Sequence, residues 1–166
     1  MERPTKLHYS AVKRILRYVK DTLDYGLPYA RGTCNYILSG FSDSDLAGNN
    51  KDRMSTGGMV FHLNDNLITW VSHKQRCVAL SSCEDEFMAA TAAAFSHRLG
   101  KESNFHGRSK HIDIRYHFIR EFVERGEIEL KHVSTNEQKA DVLTKALGAV
   151  KFESMRDLLG MKKLFA

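Results

Sequence analysis

The sequence predicts an α/β domain, because short β-branched and aromatic runs closed by turn residues alternate with longer segments whose apolar residues recur at helical spacing. The strand signal is clearest in residues 59–63 and 67–71, which flank Asn64-Asp65-Asn66 as a hairpin. The helix signal is clearest in residues 10–23, 81–99 and 111–124. A chain of 166 residues can bury a real core and suits one compact domain, with or without a terminal extension. Its formal charge of +5 and pI near 9.1 suit a polyanionic partner without requiring one.

Along the chain, Val12, Ile15, Leu16, Val19 and Leu23 form one stripe of the first helix, with Lys13, Arg14, Arg17 and Lys20 mostly elsewhere on the wheel. Residues 25–29 read as a short strand and 30–33 as a turn. Residues 35–41 read as a strand that runs on to Asp43, followed by a polar loop over 49–58. With the hairpin, this makes an antiparallel meander of three strands. Ser81 and Glu84 have the spacing of a capping box at the start of the alanine-rich helix. The polar residues 100–110 give no periodic signal and read as a loop. Residues 111–124 resume helical character with Gly126 placed to end it. Ile128 and Leu130, alternating with polar residues, read as a last strand over 128–133. A helix is expected from Thr135 through Asp141 to Leu147, and a short terminal helix past Gly148, stopped at Gly160. No internal repeat or low-complexity segment appears.

Cys34, Cys77 and Cys83 are odd in number and lack C-x-x-C spacing, so neither a disulfide framework nor a cysteine zinc site is expected. The first residues lack a secretory apolar core, and no apolar run is long enough to span a bilayer. The expectation is therefore an intracellular chain, cytoplasmic or nuclear, not secreted, with no membrane contact.

The chemistry concentrates in carboxylates. In Gly40-Phe41-Ser42-Asp43-Ser44-Asp45-Leu46-Ala47-Gly48 an apolar strand runs into two acids. Ionised carboxylates are costly to bury alone, so this strand end is either wet or meets a cation; an Asx-type turn is the plainer alternative. Glu84, Glu86, Asp113 and Asp141 also lie at predicted element ends, and acids far apart in sequence can converge where strands end in an α/β sheet. Such a set suits Mg²⁺ or Mn²⁺, which take hard oxygen ligands. His106, His111, His117 and His132 match no zinc spacing. Ser81, Ser82 and Cys83 lack a nucleophile-elbow pattern, and Ser55-Thr56-Gly57-Gly58 lacks the lysine of a phosphate-cradling loop.

Six segments in order carry a resemblance. They are residues 11–20, 40–48, Asp52-Arg53-Met54-Ser55-Thr56-Gly57-Gly58, residues 78–87, residues 109–117, and Ala140-Asp141-Val142-Leu143-Thr144-Lys145. Together they resemble the ribonuclease H region of the Pol polyprotein of copia-type plant retrotransposons, over nearly the whole chain. The resemblance implies a ribonuclease H-like mixed sheet with flanking helices, and hydrolysis of the RNA strand of an RNA–DNA hybrid by two Mg²⁺ ions. It divides the chain into residues 1–30, similar to the end of the reverse transcriptase part, a ribonuclease H-like domain over 31–148, and a C-terminal helix and tail over 149–166.

By position, the resemblance makes Asp43, Glu84 and Asp141 the metal-binding acids, with Asp45 supporting. This gives Glu84 a different role from the cap that its spacing alone suggests. The departures are equally informative. Residues 94–104 pass directly across the place where the family carries a further strand with an Asp-Asn pair, and then a helix. No residue here matches the family's third carboxylate, and Asp85 stands where alanine is common. The expectations are therefore a sheet lacking its fourth strand and following helix, lost or weakened hydrolysis, and residues 128–133 either filling the vacancy beside the first strand or leaving the sheet incomplete. Two alternatives stay open: Asp45 or Asp113 replaces the missing acid, or the chain is a non-enzymatic binder that sets Lys13, Arg14, Arg17, Lys74, Arg76, Arg108 and Lys110 on phosphates. The expected partners are an RNA–DNA hybrid or other nucleic acid and the remaining Pol segments.

Overall fold

The computed structural model describes residues 3–32, 35–48, 52–75, 77–99 and 111–164. Its centre is a three-stranded antiparallel sheet in the order β2 (Leu38–Asp45), β3 (Thr56–Leu63), β4 (Asn66–Lys74). The expected meander is present, and among the described residues every strand pairing is antiparallel. β3 is buried on both faces because it alone has neighbours on both sides and helices above and below. Period-2 alternation splits its side chains. Met59 and Phe61 pack with Ala93, Ala92 and Val71 on the side of α2 (Ser82–Leu99). Val60 packs with Leu67, Ala140, Phe41 and Leu143 on the opposite side. Gly40 faces Phe61 across the ladder, and a Cβ there would stand 2.8 Å from Phe61 Cε1, so the glycine makes room for the ring.

Outside α2 lies α3 (His111–Glu124), which closes the far side with buried Ile119 and Phe122; Phe87 and Tyr116 stack across the two helices at 5.6 Å. On the other face of the sheet sits the single turn α4 (Asp141–Thr144), followed by α5 (Ala149–Leu158). The chain begins with α1 (Lys6–Asp21), four residues earlier than its apolar stripe suggests, because Thr5 and His8 form a reciprocal capping box. None of the residues of α1 is buried.

The two ends of the chain meet. The segment predicted as a strand over 25–29 reduces to β1 (Tyr25–Gly26), which pairs with β5 (Lys162–Lys163). Lys163 forms an ion pair with Asp24 at 3.0 Å, the Arg156 guanidinium lies over the Tyr25 ring, and Tyr18 meets Phe152 edge-on.

Three expectations are corrected. First, residues 128–133 form no strand: Leu130 is exposed, Ile128 and Val133 are only half-buried, and no strand among the described residues pairs with the segment. β2 and β4 each have one strand neighbour among the described residues, so residues 128–133 do not fill the place beside β2 and both strands are edges of this sheet. Second, the helix expected from Thr135 to Leu147 shrinks to α4. Its leading residues are spent on turns, with Glu137 N–H donating to Ser134 O and Asp141 N–H to Gln138 O, which drops Ala140 fully buried onto the sheet. Third, β2 continues through Ser44 to Asp45 rather than ending at Asp43, because Gly57 and Gly58 extend β3 far enough to pair with it. The loop expected over 100–110 lies outside the described residues.

Candidate functional site

Asp43 and Asp141 reach one place from opposite ends of the sequence. Asp43 projects from β2 onto the α4 face, directly across the ladder from Gly58. That glycine lets α4 approach: a Cβ there would lie 2.8 Å from Thr144 Cγ2 and 2.9 Å from Leu143 Cβ. Ser72 on β4 fastens the same turn by donating to Leu143 O at 2.6 Å. Asp141, at the start of α4, is 3% exposed and Asp43 8%.

Burial at this level requires charge compensation. It comes from Lys145, whose ammonium lies 2.9 Å from Asp141 Oδ1, 3.1 Å from Asp43 Oδ2 and 3.2 Å from Asp43 Oδ1. The Thr144 hydroxyl also donates to Asp43 Oδ2, and Lys151 stands 3.8 Å from Asp141 Oδ2. Burial works against the Lys145 ammonium, but hydrogen bonds to Asp141 and Asp43 outweigh it and raise its pKa above the ordinary lysine value.

Glu84 is placed differently. Its carboxylate accepts from the Leu80 N–H at 2.8 Å, while Ser81 Oγ accepts from the Glu84 N–H at 3.1 Å, so both groups close the start of α2. No hydrogen bond or ion pair joins Glu84 to Asp43, Asp141 or Lys145 among the described residues. Asp45 shares the α4 face with Asp43, two residues along the ladder, and lies beside Gly48, not beside Lys145. Asp113 sits in the first turn of α3. Among the described residues, no three His, Cys, Asp or Glu side chains stand close enough to hold one metal ion. Two carboxylates already matched by two ammonium groups do not fit a pair of divalent ions, which needs more oxygen ligands and net negative charge.

Of the basic residues, Lys13, Arg14 and Arg17 are exposed on α1, where Lys13 also covers the Tyr9 ring at 4.5 Å. Lys74 ends β4 and pairs with Asp52. Arg76, Arg108 and Lys110 lie outside the described residues. Cys77 and Cys83 are unpaired. No helix among the described residues is long and apolar enough to cross a membrane.

Sequence reading missed Lys145, although its signal was available: a lysine four residues after an acid reaches that acid across one helical turn. It also missed a cluster on the opposite face. Asp85 is completely buried with neither carboxylate oxygen hydrogen-bonded. Gln75, whose amide donates to the Asp85 carbonyl at 3.3 Å, leaves its own Oε1 unpartnered.

Comparison with known proteins gives a consistent set of relatives. The chain is 38% identical over 188 residues to the retrovirus-related Pol polyprotein from transposon TNT 1-94 of Nicotiana tabacum, covering 97% of this chain and 14% of that protein. It is 34% identical over 192 residues to the retrovirus-related Pol polyprotein from transposon RE2 of Arabidopsis thaliana, covering 99% of this chain and 13% of that protein. A shorter match, 48% identical over 91 residues, joins 54% of the chain to 63% of the secreted RxLR effector protein 161 of Plasmopara viticola. The chain thus spans about one seventh of the two polyproteins. Both of those matches run over more residues than the 166 of this chain, so more than twenty positions of the tobacco protein have no counterpart here. No protein-family model and no solved structure matches the chain.

Proposed function

The chain is a homologue of one segment of the Pol polyproteins of copia-type plant retrotransposons, and on that premise we propose that it is a ribonuclease H-like region that has lost most or all of its hydrolytic chemistry. The observation that carries this reading is the state of the acids. Asp43 and Asp141 meet, as a metal site of that kind requires, yet no third acid joins them among the described residues, and Glu84 is spent on the end of α2. The extra positions in the relatives support an internal deletion as the reason that a third acid is lacking. Mg²⁺ or Mn²⁺ would supply, in an intact site of this class, a Lewis acid for the phosphate and an activated water. Here the donor set is too small for the pair, and no step is assigned to it.

A second reading is favoured by one feature. Arg14 and Arg17 are exposed on a helix whose polar side is basic, without a carboxylate partner among the described residues. That supports retention of an RNA–DNA hybrid, or other nucleic acid, through phosphate contacts.

One experiment tests both readings. Purified protein is incubated with a labelled RNA–DNA hybrid and Mg²⁺, beside an Asp43→Asn variant, and binding is followed as salt is raised. The expected result is no cleavage by either protein and retention that weakens steeply with salt. Cleavage that disappears in Asp43→Asn would overturn the reading of lost hydrolysis. Absence of salt-sensitive retention would remove the binding role.

A further inference from the structure

We propose that the buried oxygens of Ser44, Gln75 and Asp85, gathered over Gly57 between the sheet and the start of α2, form a binding site for a monovalent cation, Na⁺ or K⁺, that ties the helix to the ends of β2 and β4. The site lies on the face of the sheet opposite Asp43 and Asp141, and it does not depend on the reading of lost hydrolysis.

Its placement follows from register. Met59 and Phe61 face α2, so Gly57, two residues back along β3 from Met59, faces it too, and its ladder partner Ser44 shares that face. On α2, Asp85 precedes Ala89 and Ala93 by one and two turns; both alanines are buried, and Ala93 packs with Met59 and Phe61. Asp85 is therefore on the sheet side of the helix. Gln75 joins the two elements. Its N–H donates to Ser55 O at 2.8 Å and its side-chain amide to Asp85 O at 3.3 Å, while its Nε2 stands 3.6 Å from where a Cβ on Gly57 would lie. Apart from the chain neighbours of Gly57, nothing comes nearer to that position, so the glycine leaves room about the size of a methyl group.

The chemistry of the lining selects a cation. Ser44 is 7% exposed, Gln75 6% and Asp85 0%, and Ser44 Oγ, Gln75 Oε1 and both carboxylate oxygens of Asp85 have no hydrogen-bond partner. Buried polar atoms without a protein partner ordinarily meet a water or an ion. Here the atoms are nearly all acceptors, since only the Ser44 hydroxyl has a proton to donate. Water alone would leave the Asp85 charge uncompensated, and Asp85 has no ion pair among the described residues. One carboxylate beside two neutral oxygens carries a single negative charge. A monovalent ion balances it, whereas a divalent ion would bring excess positive charge into a place closed to solvent. Asp85 stands where the family commonly has alanine, so the site is this chain's own.

The test uses the full chain. Urea unfolding is followed at one ionic strength in NaCl, in KCl and in choline chloride, whose cation is too large for the room beside Gly57, and Na⁺ binding is read directly from broadening of the sodium resonance. The expected result is a higher midpoint for the parent in NaCl or KCl than in choline chloride, with a gain that grows with the logarithm of ion concentration. Asp85→Asn keeps the shape and removes the charge. Gly57→Ala fills the room with a methyl group whose contacts, at 3.6 Å and beyond, are ordinary ones. Both variants should lose the gain and bind Na⁺ at least about tenfold more weakly. Because the free carboxylate is a cost to the ion-free chain, Asp85→Asn should exceed the parent most clearly in choline chloride.

Equal midpoints for the parent in the three salts would overturn the proposal and leave these oxygens to water. So would a gain that survives in Asp85→Asn or in Gly57→Ala, because the ion would then act elsewhere. Hybrid cleavage by the parent would count against the lost-hydrolysis reading alone, and the salt comparison does not depend on it.

Discussion

Replacing Asp85 by alanine should stabilise this protein, although it deletes a charged residue from the first turn of a long helix. Asp85 is 0% exposed and neither carboxylate oxygen has a hydrogen-bond partner. A buried polar group without a partner costs about 1–3 kcal/mol in mutational series. Against this stands the attraction of an acid to the positive end of α2, about 0.3–1 kcal/mol near a helix N-terminus. Alanine also has the higher helix propensity, by up to about 0.7 kcal/mol, and leaves only a small void. The balance favours alanine by about 1–2 kcal/mol, which at this chain length raises the thermal midpoint by about 2–4 °C per kcal/mol. Urea unfolding at neutral pH, with the slope unchanged, measures it directly. Asp85→Asn serves as the shape-preserving control and should also stabilise, since it removes the buried charge. A lower urea midpoint for both variants would refute the reasoning, because it would mean that the carboxylate makes a favourable interaction in the folded chain.

Three further outcomes follow from the packing of α4, the start of α2 and the burial of His62. Gly58→Ala should cost about 1–3 kcal/mol by forcing Thr144 and Leu143 away from the sheet; an unchanged urea midpoint would mean that α4 is not seated there. Ser81→Ala removes the acceptor for the Glu84 N–H and should cost about 1 kcal/mol, read as a lower unfolding midpoint with the helix signal of α2 reduced. His62 has a pKa lowered by burial first and by the nearby Lys139 ammonium second. The unfolded chain therefore takes up its proton first as pH falls, so the stability that neutral His62 contributes is full above about pH 6.5 and is lost progressively below it. The urea midpoint should drop between pH 7 and 5, and Lys139→Met should reduce the slope; a flat profile in the parent would contradict this.

The hairpin, α1 and α3 were legible because each carries a periodic apolar pattern long enough to read, and α2 because an alanine-rich run follows a capping-box spacing, and Met59, Phe61 and Ala93 do meet. The elements that failed are those whose existence depends on a neighbour. Residues 128–133 have strand-like alternation, but alternation gives a strand only where another strand supplies the ladder, and none does among the described residues. Thr135 to Gln138 carry a helix-start signature that is spent instead on turns, because Ala140 gains more by burial against Val60 and Leu67. In the site, Asp43 and Asp141 were legible as chemistry and Lys145 was not. Lysine four residues after an acid usually marks a solvated helix face, and only the approach of β2 turns it into the cation that two buried carboxylates share.

The same dependence on neighbours explains why the ends of the chain could not be read as joined. β1 and β5 are two residues each, too short for any periodic signal, and they lie more than 130 positions apart. What holds them is a set of contacts that no local pattern encodes: the Lys163–Asp24 ion pair, Arg156 over Tyr25, and Tyr18 against Phe152. The ion pair is exposed and contributes little. The cation–π contact uses an Arg156 side chain only 18% exposed, so it is the stronger tie. Tyr25→Ala should therefore loosen both termini, read as faster amide exchange in residues 25–26 and 162–163, while Lys163→Ala should leave it almost unchanged. Equal effects from the two variants would place the tie in charge rather than in the stacked guanidinium.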